Sequence, residues 1–282
     1  MKKLLSIVSF LLLAFAGYSQ SVQIQDGAIL AAFSVSDSTK VYFSQGNLQY
    51  QASTSTWRFA EHQYDTIGAD NKNISKKYDG WIDLFGWGTS GFKSKYPYMT
   101  TTNHIEYGVV RNKYADITDT KYDWGVYNKI SNGGKSKQWR TLTDEEWFYV
   151  IFKRNNALEL KGSATINGIA GMILLPDNWT TPDGITFNSG MNGFSDNMYS
   201  ISELSKMEAN GAVFLPAAGQ RSGTNIEGVG VFAYYWSSVA DHRNLANNNF
   251  YAISIHFKND YVGKCYGRYR SKGQSVRLVR EE

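Results

Sequence analysis

Between Tyr251 and Phe257 the chain alternates without a break. Tyr251, Ile253, Ile255 and Phe257 fall on one side, and Ala252, Ser254 and His256 on the other. A period of two belongs to a β-strand and to no helix, and it predicts a strand with one face turned to a core. The strand sits within a C-terminal stretch, 211–280, in which apolar strand-like pieces are separated by segments rich in Gly, Asn and Lys. Two polar loops are expected to flank it, at about 241–249 and 259–272. A rigid sheet carrying polar loops is a platform for binding.

The fold has to be held by its core, because Cys265 is the only cysteine and no intramolecular disulfide can form. With 42% apolar residues a sizeable core is available. The chain opens MKKLLSIVSFLLLAFAG: two lysines, an apolar run of roughly 12 residues, then small residues, the pattern of a secretory signal. Residues 1–20 are therefore expected to be an export signal, and no later run approaches the ~20 apolar residues of a spanning helix. The formal charge of +4 falls to about +2 once Lys2 and Lys3 leave. Near-balance gives no electrostatic case for nucleic acid. Aromatic residues are abundant, with 19 Tyr, 15 Phe and 8 Trp, which suits large rings filling the spaces between irregular segments.

Residues 21–39 read as a lead-in, and 40–282 as one domain with a loop insertion at about 61–137. Short strands at 40–44, 46–50 and 56–60 predict an antiparallel meander. Thr143 with Glu146 forms a capping box at the start of a helix ending near Phe152, with Trp147, Val150 and Ile151 on its buried face. Capping accounts for Asp144, Glu145 and Glu146 better than catalysis does. Asn167-Gly168 predicts a hairpin turn. Ser202 is expected to cap a second helix at 203–209. The stretches GMILLP (171–176) and GAVFLP (211–216) match one another and are expected to lie as paired edges. The predicted class is α+β, with loop-rich antiparallel sheets and two short helices.

Three stretches carry a family resemblance: WRTLTDEEW (139–147), GAVFLPAAG (211–219), and YWSS (235–238) with SVRLVR (275–280). They resemble the formylglycine-generating-enzyme-like branch of the C-type-lectin-like fold and the Fibrobacter succinogenes major paralogous domain of Bacteroidetes surface proteins. The resemblance spans roughly residues 40–280 and implies a C-type-lectin-like fold. That fold hosts enzymes, lectins and receptor binders, so it does not settle activity. Its enzymes use a cysteine pair or a histidine triad. Here Cys265 stands alone and His62, His104, His242 and His256 are scattered. No enzyme is expected, the alternatives being a family enzyme with lost or altered catalytic residues or a structural envelope component.

The resemblance further implies that ligand is held near the final strands, where related hypervariable proteins of diversity-generating retroelements carry their variable positions. The candidate ligand-binding residues are Trp236, Asp241, His242, Arg243, Asn244, Asn247, Asn249, Asn259, Asp260, Tyr261, Tyr266, Arg268 and Tyr269, with Asn248 beside them. Asn, Asp and Tyr are adaptable contact residues. The expected partner is a glycan or a cell-surface protein, with an envelope assembly as a further partner. No cofactor is expected, calcium included, since neither a Glu-Pro-Asn-like motif nor EF-hand spacing is present. The protein is expected at the cell surface, outside the cell or in the periplasm.

Overall fold

The computed structural model describes residues 24–109, 115–243 and 250–282, with the backbone alone at residues 264 and 265. The expected export signal lies outside these residues, as do Asn244, Asn247, Asn248 and Asn249. The architecture is mixed α+β: mostly small antiparallel sheets, few short helices and many loops. No helix among the described residues is long and apolar enough to cross a membrane.

Three strands form the C-terminal sheet in chain order: Phe232–Ala240, Tyr251–Lys258 and Tyr261–Tyr269. The expected loop at 259–272 is therefore largely a strand, joined to its neighbour through Asn259 and Asp260 alone. The alternation does not leave one face wet in the way expected. Ile255 and Phe257 enter one apolar cluster with Phe43, Trp147, Leu174 and Leu215. Ala252 and Trp236 enter another with Trp57, Trp87, Trp124 and Trp139. The central strand is covered on both sides, and Ala252 and Ser254 are fully buried. Small side chains on the second face let the Trp-rich cluster close over it.

The edge strand carries one extra residue. Ser254 pairs with Tyr266 and His256 with Gly263, so two steps on one strand face three on the other. Such a bulge bends its strand and increases the local twist.

A second sheet runs Met198–Tyr199, Lys161–Ile166, Ile169–Leu174, Val213–Pro216. Its hairpin turns at Asn167 and Gly168, both at positive φ (47° and 84°), as a tight two-residue turn requires. The two matching stretches do pair, with Gly171 opposite Pro216 and Leu174 opposite Val213. The reason is burial on both faces: Met172, Leu174, Val213 and Leu215 enter the first cluster, Ile173, Leu175 and Phe214 a third. Such strands read as unbroken apolar runs.

The remaining large sheet joins the two ends of the described chain, with Leu278–Glu281 between Lys40–Phe43 and Arg140–Thr141. The expected meander breaks here. Lys40–Phe43 and Leu48–Gln51 lie in different sheets, and only Leu48–Gln51 with Thr56–Phe59 forms a hairpin. The lead-in is built into the core, where Ala28, Ile29, Phe33 and Val35 are buried. The stretch 61–137 is no peripheral insertion either. It supplies the strand Trp81–Ile82, the helix Trp124–Tyr127 and the buried Trp87, Tyr107 and Ile117.

The capping box holds as expected. The Thr143 hydroxyl accepts from the Glu146 amide at 3.1 Å, and the Glu146 carboxylate accepts from the Thr143 amide at 2.8 Å. The α-helix stops at Phe148 and continues as one wider turn, Tyr149–Lys153. Trp147, Val150 and Ile151 are buried. The other helix, Ile201–Glu208, is capped by Ser200 with Glu203, not by Ser202. Ser200 has the extended backbone that a cap needs, whereas Ser202 already lies inside the first turn. With Trp124–Tyr127 there are three α-helices among the described residues, where two were expected.

Candidate functional site

The C-terminal sheet is sealed along one part of its second face and open along another. In the sealed part Trp236 donates to the Phe85 carbonyl at 2.7 Å, and Trp87 donates to the Ser237 carbonyl at 2.9 Å. The Arg270 guanidinium lies 4.5 Å over the Trp87 ring, and its Nε donates to the Tyr251 carbonyl. Trp236 is wholly buried and belongs to the core, not to a ligand surface as expected. A Trp in a Tyr-Trp-Ser-Ser run flanked by alternating residues is core as readily as contact.

The open part carries a row of rings across all three strands. Phe232 meets Tyr234 edge-on at 5.5 Å. Tyr234 stacks on His256, with centroids 4.9 Å apart and planes 15° from parallel. His256 meets Tyr261 at 5.4 Å. Register explains the row, since Tyr234, His256 and Gly263 are cross-strand partners and project to one face. Gly263 makes space for it. A Cβ there would lie 2.9 Å from His256 Nδ1 and 2.9 Å from the Tyr261 ring. Tyr261 folds over that gap and approaches the phenol of Tyr266.

Arg268 completes the row, its guanidinium 4.3 Å over the Tyr234 ring. Tyr261 and Tyr266 keep 39% and 46% of their surface exposed, so this is a reachable face. Three polar atoms beneath it have no hydrogen-bond partner: Ser254 Oγ, His256 Nδ1 and Arg268 Nε. Burial, with the Arg268 and Lys258 charges adding to it, pushes His256 down to about 4, so its ring is neutral at neutral pH. Burial raises the Tyr234 phenol, against the pull of Arg268.

The structure divides the expected site residues. At the hairpin tip the Asn259 side chain accepts from the Phe194 amide at 2.8 Å and ties the turn to a neighbouring loop. Asp260 is exposed and lies 3.7 Å from Lys258. At the far end Asp241 is buried and bound to Arg243 at 2.8 Å, while His242 meets Asp116 at 3.1 Å. Tyr269 stacks between His104 at 4.0 Å and Tyr251 at 4.7 Å, and His104 Nδ1 contacts Ser271 Oγ at 2.6 Å. The two ends stand seven register steps apart, roughly 23 Å at about 3.3 Å per residue. Of the expected residues, the structure brings Tyr261, Tyr266 and Arg268 together. The sequence reading missed Tyr234 and His256. The signal was available in His256, a polar residue on the second face of an alternating strand.

A groove of about 800 Å³ lies elsewhere, along Trp139, Arg140, Glu146, Arg280 and Glu281. Within it Arg140 bridges Glu146 at 2.7 Å and Glu281 at 2.8 Å. Among the described residues no group of three His, Cys, Asp or Glu side chains stands at metal-binding spacing. No family model, curated protein or solved structure matches the chain.

Proposed function

We propose that this chain is an exported, non-catalytic binding protein that holds a saccharide against the open face of its C-terminal hairpin. The observation that carries the reading is the ring row Tyr234, His256, Tyr261 with Tyr266 and Arg268 beside it, partly exposed and seated on a sheet. Rigid aromatic rings offer large contact area at little entropic cost, and Tyr adds a polar tip for hydroxyl groups.

A saccharide suits the face better than a nucleic acid. Tracking a phosphate backbone needs several cations along a groove. Among the described residues Lys258 is engaged by Asp260, which leaves Arg268 to stand over the row. A C-type-lectin-like scaffold displayed at the cell surface, as the resemblance of 139–147 and 211–219 implies, accords with this reading. So does the mixed α+β architecture.

Glycan-array binding of the chain, followed by calorimetry on a hit, tests it. Tyr261→Ala with Tyr266→Ala is expected to abolish binding while near-ultraviolet circular dichroism stays unchanged. Retained affinity in that double variant, or no saccharide bound by the parent chain, overturns the reading.

A further inference from the structure

Arg268 and Arg270 are two residues apart and both lie over aromatic rings, yet only Arg270 is closed over by the core. Among the described residues Arg268 has no ion-pair partner, and its Nε is sealed without an acceptor. The carboxylates nearby are engaged elsewhere. Asp241 meets Arg243 at 2.8 and 3.0 Å, Asp260 meets Lys258 at 3.7 Å, and Glu227 accepts from Gln220 at 2.5 Å. An arginine held flat by a ring and without an ion pair keeps its two Nη groups to receive an anion, the sealed Nε taking no part, and the planar Nη fork matches a carboxylate in two parallel hydrogen bonds.

Resting on the saccharide reading above, we infer that the ligand is a carboxylate-bearing sugar, a uronate or a sialate. Its carboxylate lies on Arg268 and its ring on the Tyr261 and Tyr266 side of the row. The His256 ring, neutral at neutral pH, adds no second cation, so one carboxylate is the expected complement.

Calorimetry on the full chain tests this with two probe pairs. One pair is trigalacturonic acid against its methyl-esterified form, and the other is 3′-sialyllactose against lactose. The pair that discriminates identifies the source of the carboxylate. The acid is expected to bind at least about tenfold tighter than its neutral counterpart, the scale of one charge-assisted bidentate contact. Arg268→Gln is expected to bring that ratio close to one, the acid and its neutral counterpart binding the variant alike. Arg268→Lys, which keeps the charge and loses the fork, is expected to fall between. Equal affinity for acid and neutral forms, or a ratio that survives Arg268→Gln, overturns the carboxylate assignment while the saccharide reading stands. Failure of every saccharide probe overturns the reading beneath it. Tight binding of an acidic peptide in place of all sugars overturns both.

Discussion

The sealed and open parts of the C-terminal sheet use the same chemistry to different ends. Each places an arginine over an aromatic ring, Arg270 on Trp87 and Arg268 on Tyr234. In the sealed part the Trp87 and Trp236 indoles and Arg270 Nε all reach backbone carbonyls. In the open part Arg268 Nε, His256 Nδ1 and Ser254 Oγ reach no acceptor or donor. Stacking alone therefore does not distinguish structure from recognition. Exposure of the rings does, for Trp87 is wholly buried while Tyr261 and Tyr266 keep 39% and 46% of their surface exposed.

The largest expected effect separates the two parts by stability. Trp87→Ala removes a wholly buried indole and should destabilise the fold by about 3–5 kcal/mol in urea denaturation. Arg268→Gln should stay within about 0.5 kcal/mol of the parent. Similar losses in both variants would erase the distinction.

Acid titration probes the same contrast. Burial raises Asp123, beside the sealed cluster, to about 6, and Asp83 likewise, against hydrogen bonds that lower both. Their folded values lie above the unfolded ones, so their contribution is complete below about pH 4 and is lost as pH rises through about 6. For Asp123 this is on the order of 3 kcal/mol. His256 acts in the opposite sense. Its folded value of about 4 lies below the unfolded value, so stability it supports above about pH 6.5 is lost as pH falls toward 4. Denaturation midpoints from pH 4 to 6.5 should fall more steeply with rising pH in His256→Gln and less steeply in Asp123→Asn. Parallel slopes in all three proteins would refute the assignment.

Gly263→Ala tests the gap beneath Tyr261. The added methyl would meet His256 and Tyr261 at 2.9 Å. It should displace the Tyr261 ring, lower stability by about 1–2 kcal/mol and weaken saccharide binding, as a melt and a titration of the same sample would show. Asn259→Ala, smaller still, should lose about 1 kcal/mol by leaving the Phe194 amide unpaired, with affinity unchanged. A drop in affinity there would move Asn259 from strut to contact.

The local signals were legible wherever one residue decides the geometry. Thr143 with Glu146, Asn167-Gly168 and the paired runs at 171–176 and 211–216 all stand where the pattern puts them. What escaped was decided by distant partners. The alternation of 251–257 does not say that Trp87 and Trp236 cover its second face. Asn, Tyr and Lys between 259 and 272 read as loop, yet cross-strand pairing with 251–258 makes most of them strand. The cap at Ser200 was misplaced by two residues because Ser200 and Ser202 are equivalent in composition and differ only in backbone conformation. At the site, Tyr261, Tyr266 and Arg268 were visible as polar and aromatic residues near the end. Tyr234 and His256 were not, because only register places them beside Arg268.

The strand Tyr261–Tyr269 is the last of its sheet, and its outer row of amides and carbonyls faces no other described strand. A straight edge of nine residues would template a second copy of the chain and begin an aggregate. The extra residue between Gly263 and Tyr266 divides that edge into two short runs of different twist. A second chain approaching along this edge would meet a break in register, so the irregularity works against continuous strand-to-strand pairing over its whole length.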